Sequence, residues 1–208
     1  QDLFLKHYIC LQKSDITNTC LLELKKTPIV FFNEEKVCLL CEQVVLLLQD
    51  HEIIQPYLMR IPTDYMHCVN LFRKLGALET TSAFQFAEVL RCLHRDSLDE
   101  KSKPNILGPN EKKNILVPAV RNLFSKIISD YPVCLNCTEL FLPNRQFILQ
   151  SSKSLIVADN KKIENRSKQF HDQRFFAGFD KLDLQFQFSA NTLKMLPEEL
   201  KPKFLSEI

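Results

Sequence analysis

Four cysteines stand in two Cys-x-x-Cys pairs, Cys38-Leu39-Leu40-Cys41 and Cys134-Leu135-Asn136-Cys137. Taken at face value, four thiolates at this spacing are a tetrahedral zinc set. Their surroundings argue otherwise. The pairs lie far apart in the chain, no glycine-rich knuckle follows either, and Cys38 and Cys41 sit in an apolar run. If that run is a strand, residues three apart point to opposite faces and cannot chelate one ion. The eight cysteines are therefore expected to be free thiols, packed as small hydrophobes in a reducing, cytoplasmic compartment.

His51-Glu52-Ile53-Ile54-Gln55 is one residue away from the zinc-protease pattern His-Glu-x-x-His. Gln55 removes the second imidazole, so a metal there would lack a ligand. Cys92 is close to His94, and His67 is next to Cys68. Neighbours one or two apart on a helix diverge and do not face each other, so neither is a thiolate–imidazole pair. No Gly-x-Ser-x-Gly elbow occurs. The acids Glu34-Glu35 and Glu198-Glu199 read as solvated faces, and His7, His51, His67, His94 and His171 are too dispersed to nominate a metal site. Only three glycines occur, Gly76, Gly108 and Gly178, too few and too far apart for a P-loop or a Rossmann fingerprint. The sequons at Asn136 and Asn165 are read as chance. No catalytic, cofactor-binding or metal residue is nominated, no cofactor is expected, and the chain is expected not to be an enzyme.

Composition sets the frame for this. The 208 residues are 45% apolar and 25% charged, as in a globular protein, and suffice for a sizeable core. Net charge is +2, with scattered lysine pairs and no basic stripe, which argues against nucleic acid as a partner. Apolar runs such as 115–120 fall far short of the roughly twenty residues a membrane span needs. The chain starts at Gln1 without a charged-then-apolar leader, and is read as cut from something longer. Trp is absent, and sixteen Phe supply most of the aromatic volume.

Apolar spacing predicts an α+β chain of helices and short antiparallel hairpins. Helices are expected over 3–11 and 18–26. A hairpin follows, with 29–32 and 37–40 as arms, and then a third extended run over 44–48. Tyr65, Cys68, Val69 and Phe72 form one stripe of a helix over 63–75, with Gly76 placed to end it. Phe86, Val89, Leu90 and Leu93 form the stripe of a helix from Thr81 or Ser82. Leu116, Val120, Leu123 and Ile127 face inward on a helix over 110–130, which Pro118 kinks or starts. Strands are expected over 175–179 and 182–188, and interrupted helix over 189–208. Leu90 and Ile156 are expected in the core.

Residues 140–160 carry a tight hairpin signal. One apolar run ends in Pro143-Asn144-Arg145-Gln146, a second follows, and a Ser-Ser-Lys-Ser step leads to Leu155 and Asp159. The piece parallels 31–48 in order, at an offset of about 110 residues, as a weak internal duplication would. The chain is expected to form one module over 1–208, with 1–98 and 110–208 as candidate similar lobes joined by the loop 97–110.

The same residues carry a resemblance. Leu142-Pro143, Phe147, Ser152, Leu155 and Asp159-Asn160 resemble the repeated element of the sacsin family. Similar pieces follow in the family's order over about 27–208. They include Thr27-Pro28-Ile29-Val30, Leu71-Phe72-Arg73-Lys74-Leu75-Gly76, Ser82-Ala83-Phe84-Gln85-Phe86, Leu196-Pro197 and Phe204-Leu205-Ser206-Glu207-Ile208. Asn144-Arg145-Gln146 departs from the acidic residue and glycine usual in that turn.

The resemblance implies a non-enzymatic internal-repeat module of a large cytosolic co-chaperone, a scaffold of the Hsp70 chaperone and protein quality-control system. Its partners would be neighbouring repeats of the same chain, the chaperone machinery and client proteins, with cytoskeletal proteins among the candidate clients. The contrasting reading is a structural domain of an unrelated multidomain protein, either a ubiquitin-pathway adaptor or a cryptic hydrolase.

Overall fold

Short strands pair in both senses here, and helices close over them. The computed structural model describes residues 2–34, 36–98, 109–130, 137–167 and 174–208, together with residues 135 and 169. They form a mixed α+β fold in two compact units, Gln1–Thr81 and Ser82–Ile208.

In the first unit α1 (Asp2–Lys13) and α2 (Asn18–Lys25) precede the hairpin of β1 (Val30–Phe32) and β2 (Val37–Leu39). The Thr17 hydroxyl accepts the Cys20 amide, serving one of the N–H groups that the first turn of α2 leaves over. Val30 pairs with Leu39, and both are buried beside Phe32. A 3-10 turn, Cys41–Gln43, leads into β3 (Val44–Val45). β3 pairs in parallel with β4 (Met59–Arg60), and Val45 also bridges Leu78 in parallel. Flanked on both edges, β3 is an all-apolar strand with no exposed face. Between the two returning segments, a 3-10 stretch Thr63–Cys68 runs into α3 (Val69–Lys74). Gly76 ends α3 at φ 105°. Its amide donates to the Arg73 carbonyl and that of Ala77 to Phe72, a Schellman closure that needs a left-handed residue.

Tyr8 of α1 meets Tyr65 and Phe72 edge-on, at 5.0 and 5.1 Å. Its hydroxyl donates to the Ile29 carbonyl and accepts the Phe31 amide. The outer edge of β1 is thus occupied by a side chain instead of standing open to another strand.

In the second unit α4 (Ala83–Leu98) packs along α5 (Pro109–Ser129), which runs unbroken past Pro118. Phe86, Val89, Leu90 and Leu93 of α4 are buried, as are Leu116, Val120, Leu123 and Ile127 of α5. The hairpin of β5 (Phe141–Pro143) and β6 (Leu149–Ser151) follows, then a 3-10 turn Ser152–Ser154 and β7 (Ile156–Val157). α6 (Lys161–Ser167) and α7 (Phe186–Lys194) come next. β7 pairs in parallel with β8 (Lys203–Phe204), and Ile156 also bridges Phe175 in parallel.

Both units therefore share one order. A hairpin leads through a 3-10 turn into a central strand, which two later segments flank in parallel, with a helix between them. The strands of the two units follow one another in this order where 31–48 and 140–160 run parallel in sequence.

Several expectations change. The sequence predicts antiparallel hairpins alone, whereas β3–β4 and β7–β8 are parallel pairs that local patterning does not announce. The strand expected over 182–188 is instead a turn followed by the start of α7. Asp183 takes φ 56°, which breaks an extended run. The helix expected over 189–208 reduces to α7, a 3-10 turn Glu198–Leu200, β8 and a final 3-10 turn. Of 175–179, only Phe175 and Phe176 form strand bridges. Ile156 is half-buried, while Leu155 and Val157 beside it are fully buried. The segment 97–110 links α4 to α5 within the second unit, and its residues 99–108 lie outside the described ones.

Candidate functional site

A shallow groove of about 620 Å³ opens beside β3, lined by Leu46, Leu47, Leu48, Gln49, Asp50, His51 and Arg60. β4 delivers Arg60 to it. The Arg60 guanidinium donates from Nε to the Leu48 carbonyl (2.8 Å) and from Nη2 to Asp50 Oδ1 (2.7 Å). Asp50 is almost fully exposed, so water screens that pair and the backbone contact sets the arginine's position. Leu47 stands 66% exposed on the rim.

Glu52 follows His51 of the groove and closes a 3-10 turn, Asp50–Glu52. It is buried. Oε1 accepts the Thr81 hydroxyl at 2.7 Å and Oε2 accepts the Gln49 amide at 3.2 Å. His51 is exposed. The His-Glu-x-x-Gln near-match is thus a carboxylate turned inward to fasten the chain, with its histidine turned to solvent.

The second unit holds a matching carboxylate. Asp159, just past β7, accepts the Ser206 amide at Oδ1 (3.2 Å) and the Ser206 hydroxyl at Oδ2, with Lys194 Nζ 3.4 Å from Oδ2. Burial pushes its pKa up, but the Ser206 donors and Lys194 outweigh this and hold it below the usual value.

The hairpin turn of this unit is built by its own asparagine. Asn144 Oδ1 accepts the amides of Gln146 (2.9 Å) and Ile148 (3.0 Å), which steadies Phe147 at φ 61°. That wiring explains how Asn144-Arg145-Gln146 closes the turn without glycine. Asn144 Nδ2 is buried without a hydrogen-bond partner. Lys113 and Lys181 both lie over the Phe147 ring, at 5.1 and 5.7 Å. Arg145 stacks on Phe175 at 4.7 Å and stands 3.7 Å from Glu164, and burial pushes its pKa down.

Cys38 is exposed on β2, whereas Cys41 is buried in the following turn. Burial, with Glu42 adding to it, pushes the Cys41 thiol up to about 12. Burial also raises Cys68, Cys92 and Cys137. These four are protonated at neutral pH and poor nucleophiles or ligands. Cys134, Asn136 and His171 lie outside the described residues. His94 stacks on Phe141 at 4.1 Å, so its ring faces the hairpin. His7 Nδ1 meets the Leu3 carbonyl at 2.7 Å, and His67 is exposed. Asn165 is exposed on α6. Among the described residues, no three His, Cys, Asp or Glu side chains come together as a metal site. No helix is long and apolar enough to cross a membrane among them.

No family model matches the chain, and no solved structure matches it. A curated relative does, with 25% identity over 175 residues, 80% of this chain. The chain is similar to sacsin of Homo sapiens. The relationship is distant, and the match spans only 4% of the length of sacsin. The positions that resemble the sacsin element have structural work in the second unit. Leu142 and Leu155 are fully buried. Ser152 donates from within the core to the Leu200 carbonyl at 2.6 Å. Asp159 holds Ser206.

Proposed function

We propose that this chain is a non-enzymatic module of a large sacsin-like scaffold in the cytoplasm, acting by contact with neighbouring modules and with client proteins of the chaperone system. The observation that carries this reading is the match to sacsin over 80% of the chain and 4% of sacsin's length. A stretch that matches along most of itself yet fills so little of its relative behaves as one unit among many. The two carboxylates that follow the central strands support it. Glu52 and Asp159 both serve as acceptors of local hydroxyls and amides. Units of an array commonly bury apolar surface against their neighbours. An isolated unit then offers that surface to other proteins.

The test is calorimetric titration of the full chain with a permanently unfolded protein, reduced and carboxymethylated α-lactalbumin, and separately with Mg-ATP. Saturable binding of the unfolded protein, with no heat from ATP, is expected. Micromolar ATP binding would overturn the accessory-module reading. Failure to bind the unfolded protein would remove the client role.

A further inference from the structure

Both units close in the same way. A carboxylate past the central strand accepts a hydroxyl that follows the second returning segment. Glu52 takes the hydroxyl of Thr81, after Leu78, and Asp159 takes that of Ser206, after Lys203. In each unit the other carboxylate oxygen accepts a backbone amide at 3.2 Å, Gln49 in the first and Ser206 itself in the second. The contacts differ in access. Thr81 is buried, whereas Ser206 is an exposed residue, so of the two it is the one on the surface that a modifying enzyme meets.

We propose that the Asp159–Ser206 contact is a latch that phosphorylation of Ser206 opens, loosening β8 from β7. A protein kinase supplies the γ-phosphoryl group of ATP. An Oγ–P bond forms at Ser206, the bond between the γ-phosphorus and the β–γ bridging oxygen breaks, ADP leaves, and the hydroxyl proton passes to the kinase's base. The ester oxygen no longer donates. A phosphate dianion then faces Asp159, whose side chain is 6% exposed.

The charged groups around Asp159 decide the sign. Lys194 of α7 stands 3.4 Å from it and lies over the Phe204 ring at 5.0 Å. Glu207 adds a negative charge on the turn of Ser206, and Lys203 on β8 is exposed to water. One lysine shared between a carboxylate and a phosphate leaves the site net negative, so the two anions separate. β8 is tied to β7 by the Lys203 amide on the Leu155 carbonyl (3.1 Å) and by the Val157–Phe204 pairing. Phe204 is 1% exposed and stays as an anchor, which makes the change a local loosening and not unfolding.

The test is amide hydrogen exchange on the full chain carrying phosphoserine at position 206, compared with unmodified protein and with Ser206→Ala. Exchange of the Lys203 amide, which bonds the Leu155 carbonyl, should quicken about tenfold or more in the phosphorylated chain and less in Ser206→Ala, with Leu78 of the first unit unchanged. Unchanged or slower exchange at Lys203 would overturn the proposal, since it would mean that Lys194 bridges to the phosphate and tightens the turn. Failure of a panel of protein kinases to phosphorylate Ser206 with ATP would overturn it too.

Discussion

Asp159 is where single-residue chemistry matters most. Its folded pKa lies below the usual 3.8, so its contribution to stability is present above the unfolded value and is lost as pH falls through the folded one. Chemical denaturation from pH 7 down to pH 2 should show this loss below about pH 4. Asp159→Ala should cost about 1–3 kcal/mol at pH 7 and flatten that part of the profile. An unaltered acid profile in the variant would show that other carboxylates set it. The thiols give a second check. Iodoacetamide at pH 8 should label Cys10, Cys20 and Cys38, which are exposed, before Cys41 and Cys68, which are buried. Peptide mass spectrometry reads the order, and early labelling of Cys41 would contradict its burial. Sequence offered part of this scale. Asp159 and Ser206 both fall in motifs that resemble sacsin, but nothing in the chain says that they meet across a sequence separation of 47. Glu52 drew attention as a near-match to a metal site, and its hydroxyl partner Thr81 left no local signal.

At the scale of elements, α4 and α5 were legible because a full apolar stripe runs along each, and every stripe residue named from sequence is buried. The hairpins were legible because their turns sit between short apolar runs. The parallel partners β4 and β8 were not, since two-residue strands pair with segments distant in sequence and leave no periodicity of their own. The span 182–188 misled through its alternating apolar residues, which serve a buried turn at Leu182 and then the first turn of α7. Two substitutions probe this level. Tyr8→Phe removes the hydroxyl that serves both the Ile29 carbonyl and the Phe31 amide. It should cost about 1–3 kcal/mol in urea unfolding and speed amide exchange at Phe31. Val157→Asp puts a charge on a fully buried position of the central strand, and should cost at least about 3 kcal/mol. A melting temperature within error of the parent would contradict the placement of β7.

For the whole molecule, α+β class followed from pattern, and the repeated order of the two units explains why 31–48 and 140–160 read alike. The units themselves divide at Thr81 and Ser82, inside a polar stretch that carries no Pro or Gly punctuation, so sequence placed the break later. The functional account rests on a distant match to sacsin over most of the chain. We propose that the chain works by holding other proteins and not by turning over a nucleotide. Light scattering of a heat-labile enzyme, warmed with increasing amounts of the full chain with and without Mg-ATP, tests this most directly. Scattering should fall as the chain approaches stoichiometric amounts, equally with and without ATP. Undiminished scattering at a molar excess, or protection that appears only with ATP and is accompanied by its hydrolysis, would contradict it.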